Sequence, residues 1–201
     1  MSEQTTSTIL EAEAKIQDPR VEGLAVPLAR DYAEKNYPMF EDGTFEPAWR
    51  GMNGEKEFKG KSPDNLVADG WTPEAAASVV IDIANTPYDQ YSEHWKEQNR
   101  GGAEYLIGIL DERGADSLTG LDISDPIVRS EYGGLIHDNW IARNEWVHDS
   151  EWGNPDLAMP FDELSSEEQQ KDIDQLGVLK TWISETAVAE PAVVEPIPQQ
   201  Y

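Results

Sequence analysis

The residue types best suited to hold a ligand lie close together in the last third of the chain. Indole rings stack on planar or cationic groups, and a histidine or a carboxylate can orient a molecule bound beside them. Three tryptophans surround one predicted loop, which is more than a small core needs. The sequence therefore predicts a ligand-binding site formed by His137, Trp140, Asn144, Trp146, Trp152, Phe161 and Asp162. The competing interpretation is that all three tryptophans are core residues.

Catalytic and metal chemistry are disfavoured by the same sequence. His137 and His148 do not have a metal-ligand spacing, and the acidic pairs lack the alternating Asp/Asn loop of a calcium site. No Gly-Lys-Ser/Thr phosphate loop and no Gly-x-Ser-x-Gly motif occurs. Among 40 acidic residues, no pair stands out for acid/base work. We therefore predict no enzyme, no catalytic residue, no metal and no cofactor.

Composition narrows the range of partners and locations. The 201 residues include no cysteine, and 15 basic against 40 acidic residues leave a net charge of −25. Such a charge repels nucleic acids and anionic membrane surfaces. There is no apolar run of about 18 residues that could span a membrane, and the polar stretch 1–8 is unlike a signal peptide. These features predict a cytoplasmic protein without direct nucleic-acid or membrane binding.

Three classes of function remain compatible with this composition. The first is a non-catalytic module that binds a small molecule or a protein partner. The second is an acidic mimic of nucleic acid that blocks a DNA-binding protein, and the third is a structural component of a phage particle or other complex. An enclosed pocket would favour the first, a broad acidic face the second, and a large apolar surface patch the third.

Helix signals dominate the pattern and predict a mainly α fold with at most short β pieces. Asp125-Pro126 supplies a capping residue and a proline at the first helical position. Ser165 and Glu168 have the spacing of a capping box, and Ser92 is predicted to cap another long helix. Thr72-Pro73 is predicted to open a helix that continues through Ala84. The pair Gly133-Gly134 is predicted to allow a close helix crossing or a kink.

Two segments of the chain resemble each other. Pro87-Tyr88-Asp89 aligns with Pro160-Phe161-Asp162, and Ser92 then aligns with Ser165. Further upstream, YAEKN at 32–36 aligns with WIARN at 140–144. Each copy thus has a helix, a long loop, a Pro-aromatic-Asp turn and a capped helix. A unit of two helices cannot bury its apolar faces alone, so a second copy supplies the missing surface.

The second copy resembles the ryanodine-receptor repeat (RyR) domain, which also occurs in bacterial and phage proteins. The residues that carry the resemblance are His137 and Trp140, the run Pro160-Phe161-Asp162-Glu163-Leu164, and Lys171-Asp172. The resemblance implies a small helical module, often in tandem and without established catalysis, and by analogy a nucleotide-derived ligand. The first copy departs from the motif, since Tyr32 stands in place of Trp and Ala29 or Arg30 in place of His.

The domain organisation predicted from these matches has five parts. Segment 1–23 is predicted to be loose, although Ile9–Ile16 could form a short helix. Segments 24–112 and 128–186 are predicted to be the diverged and the better-matched RyR-like repeat, joined by a linker at 113–127. Segment 187–201 is predicted to be a disordered, Pro-rich acidic tail.

Overall fold

The computed structural model describes residues 18–151 and 153–189, and the predictions for the remaining residues, Trp152 included, lie outside this part. The described chain is mainly α-helical, as predicted. No helix in it combines the length and the apolarity that crossing a bilayer requires. The helices are α1 (Pro19–Asn36), α2 (Pro63–Ala68), α3 (Pro73–Val79), α4 (Glu93–Arg113), α5 (Ala115–Thr119), α6 (Pro126–Arg143) and α7 (Ser166–Ala189).

The four long helices α1, α4, α6 and α7 pack around one apolar core. Each helix contributes an apolar face at helical spacing, which is how an amphipathic helix is stabilised in a globular protein. The spacing of the sequence predicts that Ile173, Leu176, Leu179 and Ile183 line one face of α7, and all four are buried, which confirms the prediction. The fully buried side chains of this core are Leu24, Ala25, Ala103, Leu106, Leu118, Leu176 and Leu179.

A small antiparallel sheet replaces part of one predicted helix. Strand β1 (Trp49–Gly51) pairs with strand β2 (Val80–Asp82), with Trp49 opposite Asp82 and Gly51 opposite Val80. The helix predicted to run from Thr72 through Ala84 therefore ends at Val79, and that prediction was wrong. The β-branched residues at this point favour a strand, and pairing with β1 satisfies the backbone groups that a helix would otherwise satisfy.

The predicted boundaries between segments also differ from the observed elements. Helix α1 already begins at Pro19, with Val21 buried, inside the segment predicted to be loose. The predicted linker contains α5, whose Leu118 is fully buried in the core. At the other end, α7 continues to Ala189, inside the predicted tail. Burial of apolar residues that lie outside the motif matches accounts for the first two differences.

The two aligned segments have matching turns. In each, a single 3₁₀ turn precedes the long helix, at Tyr88–Gln90 and at Phe161–Glu163. The third residue of each turn donates its amide to the carbonyl of the preceding proline at 2.9 Å. Ser92 then accepts from the amide of Trp95, and Ser165 accepts from that of Glu168. The two capped helices therefore start in the same way.

The helices before these turns match as well. Both α1 and α6 are 18 residues long and start with an aspartate cap followed by proline. Near their ends, the Asn36 and Asn144 side-chain amides donate to the carbonyls of Tyr32 and Trp140, each at 2.8 Å. This agreement at the helix ends is what a duplicated unit predicts, whereas α2, α3 and the sheet between α1 and α4 have no counterpart between α6 and α7.

The Ser165 cap leads to a simple prediction about stability. The Ser165 hydroxyl oxygen accepts from the Glu168 amide at 3.2 Å, whereas the Glu168 carboxylate accepts from Lys171 Nζ at 2.6 Å. The cap is thus confirmed, and the reciprocal half of the predicted capping box is replaced by an ion pair. Ser165→Ala is expected to cost about 0.5–2 kcal/mol, measured as a lower midpoint of urea unfolding. Ser166→Ala is the control, and equal midpoints for both variants would contradict the prediction.

Candidate functional site

His137 is buried within the predicted site and both of its ring nitrogens have partners. Its side chain is 3% exposed. Nε2 lies 3.0 Å from the carbonyl oxygen of Met159, and Nδ1 lies 3.2 Å from a carboxylate oxygen of Asp172 on α7. The imidazole therefore connects α6 to α7 and to the loop that precedes the 3₁₀ turn Phe161–Glu163. Neither nitrogen is directed at solvent, where a ligand or a substrate proton could reach it.

With these hydrogen-bond partners, His137 and Asp172 together must hold one proton more than a neutral imidazole beside an ionised carboxylate. A backbone carbonyl can only accept a hydrogen bond, and so can an ionised carboxylate. A neutral imidazole has one N–H, so the two short contacts require either an imidazolium beside a carboxylate or a neutral imidazole beside a protonated Asp172. The hydrogen bond to Asp172 raises the pKa of His137. Burial raises the pKa of Asp172, which also favours retention of the proton.

Other charged groups near this buried pair partly oppose one another. Asp138, next to His137 on α6, raises the pKa of the imidazole further. On α7, Glu168 raises the pKa of Asp172 and Lys171 lowers it. Lys171 and Glu168 are themselves paired at 2.6 Å. The contact with Asp172 is the largest influence on the pKa of His137, whereas burial is the largest influence on the pKa of Asp172.

The tryptophans form the exposed part of the predicted site. Trp140 is half-buried, stacks on the His137 ring with the centroids 6.0 Å apart, and meets Trp146 edge-on at 6.1 Å. Trp146 is 41% exposed. Its indole N–H donates to Asn144 Oδ1 at 3.2 Å, and Asn144 donates in turn to the Trp140 carbonyl. The orientation of the Trp146 ring is thus set by its neighbours, while a large part of its surface remains open to solvent.

Phe161 and Asp162 do not take part in the exposed tryptophan cluster. Phe161 is buried, and its ring lies directly over Gly133, where an added Cβ would come within 2.3 Å of it. Asp162 is exposed and accepts a hydrogen bond from Ser130 at 2.9 Å. Ser130 and Trp140 are about 15 Å apart along a helix. The structure therefore brings His137, Trp140, Asn144 and Trp146 together, whereas Asp162 lies apart from them at Ser130 and Phe161 is buried over Gly133, one helical turn before His137.

A basic residue that the sequence analysis missed, Lys59, lies beside Trp146, and a second one, Arg50, is close enough to Lys59 to lower its pKa. Lys59 Nζ is 5.4 Å from the centroid of the Trp146 ring. A backbone hydrogen bond of 2.8 Å from Gly60 to Trp49 holds this loop against β1, which carries Arg50. We call Arg50, Lys59, Trp140 and Trp146 the Trp146 surface. The run of basic residues Lys56, Lys59 and Lys61 was visible in the sequence, but its proximity to Trp146 was not.

The electrostatic surroundings of Lys59 are unusual for so acidic a chain. Burial lowers the pKa of Lys59, and the nearby cations Arg50 and Lys56 lower it further. Within residues 18–151 and 153–189, neither Arg50 nor Lys59 forms an ion pair with a carboxylate. Arg50 Nη1 donates to the carbonyl of Trp49 at 3.0 Å. The Trp146 surface is therefore locally cationic in a chain whose net charge is −25.

The first repeat lacks the buried ionic pair of the second. The alignment of YAEKN with WIARN places Ala29 opposite His137, and the alignment of the two capping serines places Asn99 opposite Asp172. Asn99 donates its side-chain amide to the Trp95 carbonyl at 2.8 Å. Both members of the pair are thus replaced together by uncharged residues. Among the described residues, no group of three His, Asp or Glu side chains is placed to hold a metal ion.

The resemblance to the ryanodine-receptor repeat rests on the motif residues and stays a prediction. In this structure, the motif His and Trp stack on each other, and the histidine bonds to Asp172. Comparison of the chain with protein-family models, with curated proteins and with solved structures found no match.

Proposed function

We propose that the chain is a non-catalytic binding module and that its ligand is a planar, anionic small molecule bound at the Trp146 surface. The observation that carries the proposal is the contact between Lys59 and the exposed ring of Trp146, next to a second cation, Arg50. The ring supplies a stacking face, and the two cations supply charge for a phosphate or a carboxylate. A nucleotide combines both features in one molecule.

The same geometry argues against catalysis at this place. His137 is the obvious candidate for a general base, but its Nε2 is bonded to the Met159 carbonyl and its Nδ1 to Asp172. A general base must lie within hydrogen-bond reach of the proton it takes. His137 instead packs against the Trp140 ring and fixes its position, and Trp140 in turn packs against Trp146.

The acidic-mimic alternative gains no support from the placement of the carboxylates. Asp18 and Asp125 cap α1 and α6, and Asp42 and Asp122 accept bonds from residues two positions further on. A mimic needs its carboxylates on one face, free for a basic partner. These four are spread along the chain and have local structural roles.

The proposal is tested by a thermal-shift panel on the full chain. The probes are ATP, GTP and a cyclic dinucleotide, with adenosine and inorganic phosphate as the planar-only and anion-only arms. A ligand present at 100 times its dissociation constant stabilises the folded state by about 2.7 kcal/mol. For a chain of this size, we expect a rise in Tm of about 5–10 °C. Absence of a shift with every nucleotide would contradict the proposal.

Two pairs of variants locate the binding site. Trp146→Ala is expected to weaken nucleotide binding by about 1–3 kcal/mol, because a stacking partner is lost. This corresponds to about 5- to 150-fold in the dissociation constant. Phe40→Ala, at another exposed aromatic residue, is the control. Lys59→Gln is expected to weaken nucleotide binding but not that of adenosine. Lys61→Gln, at a lysine paired with Asp69, should change neither affinity. Equal affinities for all four variants would place the ligand elsewhere.

A further inference from the structure

The buried pair of His137 and Asp172 makes all of its hydrogen bonds in only one state. With the additional proton, both the 3.0 Å contact with the Met159 carbonyl and the 3.2 Å contact with Asp172 are hydrogen bonds. Without that proton, a neutral imidazole has one N–H for two acceptors. A buried acceptor that is left without a donor costs about 1–3 kcal/mol. Loss of the proton therefore favours a rotation of the imidazole ring or a displacement of one of its partners.

A continuous series of contacts connects this pair to the Trp146 surface. The Trp140 ring lies nearly parallel to the His137 ring, with an angle of 15° between the two planes. Its edge-on contact with Trp146 has 6.1 Å between the ring centroids. The buried Asn144 side chain accepts from the Trp146 indole and donates to the Trp140 carbonyl. A rotation of the imidazole therefore changes the packing of Trp140 first and that of Trp146 next.

The last residue of this series is the stacking face of the proposed ligand site. The Trp146 side chain is 41% exposed, and Lys59 Nζ lies 5.4 Å from the ring centroid. A side chain that must be immobilised when a ligand binds reduces the binding free energy by about 0.5–1.5 kcal/mol. An indole that is already held in one orientation avoids this loss. The contacts that fix Trp146 therefore contribute to affinity without touching the ligand.

Several charged groups lie on the elements that pack against His137. Asp138 raises the pKa of His137, as the direct contact with Asp172 does, so it opposes loss of the proton. The two charged groups on α7 are paired with each other at 2.6 Å. The full set is Asp138 on α6, Glu168 and Lys171 on α7, Glu145 and His148 in the 3₁₀ turn after α6, and Asp162 and Glu163 in the 3₁₀ turn before α7.

We propose that the buried pair of His137 and Asp172 is a proton switch for the Trp146 surface. While the pair holds the additional proton, Trp140 and Trp146 keep the arrangement described above and the ligand binds. When the pair releases the proton, the imidazole gives up one partner, the two indoles lose this arrangement and the affinity falls. Bound ligand favours retention of the proton in turn, because coupling between two binding events is mutual. This inference rests on the proposed function, since it states how the same site is regulated.

An NMR titration of the full chain without ligand tests the switch itself. The chain has three histidines and seven tryptophans, so each imidazole and each indole N–H can be followed separately in an isotope-labelled sample. The His137 imidazole is expected to titrate with a midpoint above 6.5, and the Trp146 indole signal is expected to shift with the same midpoint. A Trp146 signal that stays constant while His137 titrates would overturn the proposal, and so would an imidazole that does not titrate.

Three variants separate this coupling from a general effect of pH. Asp172→Asn makes both bonds with a neutral imidazole, so the Trp146 signal should no longer shift. Trp140→Leu removes the ring between the pair and Trp146, so His137 should still titrate while Trp146 does not follow it. His148→Gln, in the 3₁₀ turn that carries Trp146, should behave like the wild-type chain. The proposal fails if the Trp146 midpoint is retained in Asp172→Asn or Trp140→Leu, or lost in His148→Gln.

Ligand affinity gives a second measurement. The probe is a cyclic dinucleotide, because its phosphodiester groups stay ionised throughout this pH range. Its affinity for the wild-type chain is expected to fall at least about fivefold as the pH rises through the raised folded-state pKa of His137. The affinity of Asp172→Asn is expected to fall less than about twofold.

The comparison between these two chains isolates the pair. Burial lowers the pKa of Lys59 at the same surface, but this lysine is present in both chains. Equal losses of affinity in the two chains would therefore overturn the switch. If no nucleotide binds at any pH, the proposed function fails, whereas the NMR titration still decides whether the pair controls the position of Trp146.

Discussion

Asp172→Ala is expected to lower the free energy of unfolding by about 3–5 kcal/mol at pH 6, because it leaves a buried imidazole without its charged partner. Both side chains are almost fully buried, with His137 3% and Asp172 6% exposed. The variant also removes one of the two bonds that fix the His137 ring under Trp140. Urea unfolding at pH 6 measures the effect. A loss below about 1 kcal/mol would contradict the assigned contact.

The pH dependence of stability follows from the same pair. The folded-state pKa of His137 is raised above its ordinary value of 6.5. Below that value the unfolded chain also binds the proton, so the contribution of the pair to stability is fully present. As the pH rises through the higher folded-state pKa, the folded chain loses the proton and this contribution is lost.

Asp172→Asn is the matched variant for this effect. An asparagine amide can donate to Nδ1 of a neutral imidazole while Nε2–H still donates to Met159, so every bond is satisfied without an additional proton. We expect the wild-type chain to lose stability as the pH rises above about 6.5 and through the raised folded-state pKa of His137, and the Asp172→Asn variant to lose distinctly less. The other histidines are the same in both chains, so the difference isolates the pair. Parallel pH profiles for both would rule out proton uptake by the pair.

Phe161→Ala is expected to be the second strongly destabilising change, at about 3–5 kcal/mol, because it empties a packed site. Phe161 is 5% exposed and packs with Leu164 and Ile173 while its ring covers Gly133. Thermal or urea unfolding measures the loss. Phe40→Ala, at an exposed aromatic residue, is the control. If Phe161→Ala lowered the free energy of unfolding by no more than Phe40→Ala, the packing described for Phe161 would be contradicted.

Substitution by alanine at the two neighbouring glycines of α6 is expected to change the free energy of unfolding in opposite directions. Alanine in place of glycine in a helix interior stabilises by roughly 0.5–1 kcal/mol. At Gly134 an added Cβ meets no atom within 4 Å, so Gly134→Ala is expected to stabilise by this amount. At Gly133 the Cβ would come within 2.3 Å of the Phe161 ring, and Gly133→Ala is expected to destabilise by about 1–3 kcal/mol. If both variants changed the free energy of unfolding in the same direction, the close contact between Gly133 and the Phe161 ring would be refuted.

The repeats differ in a way that bears on function. The second repeat has His137 and Asp172 beneath its tryptophans, whereas the first has Ala29 and Asn99 at the aligned positions. At the position aligned with Trp140, the first repeat has Tyr32, which is 43% exposed. A buried ion pair adds little stability compared with apolar packing, but it can fix one arrangement of side chains. This difference supports the assignment of the proposed ligand site to the second of the two aligned segments.

The amino-acid sequence by itself determined the start of three of the four long helices, α4, α6 and α7. Asp125, Ser92 and Ser165 act on amides two or three residues further on. A cap is a local interaction, so a short window of sequence contains all of its partners. The apolar spacing on α7 is local in the same sense, and it correctly identified the buried face.

Only the tertiary structure decided which distant groups meet. His137 faces Asp172 across two helices, and Lys59 reaches Trp146 from a loop in the other half of the chain. Val80–Asp82 forms a strand because it pairs with β1, which lies about 30 residues earlier in the sequence. Such contacts depend on how the helices pack, and neither spacing nor propensity contains that information. The sequence therefore indicated the tryptophans of the candidate site, while its cations and its buried proton became visible only in the folded chain.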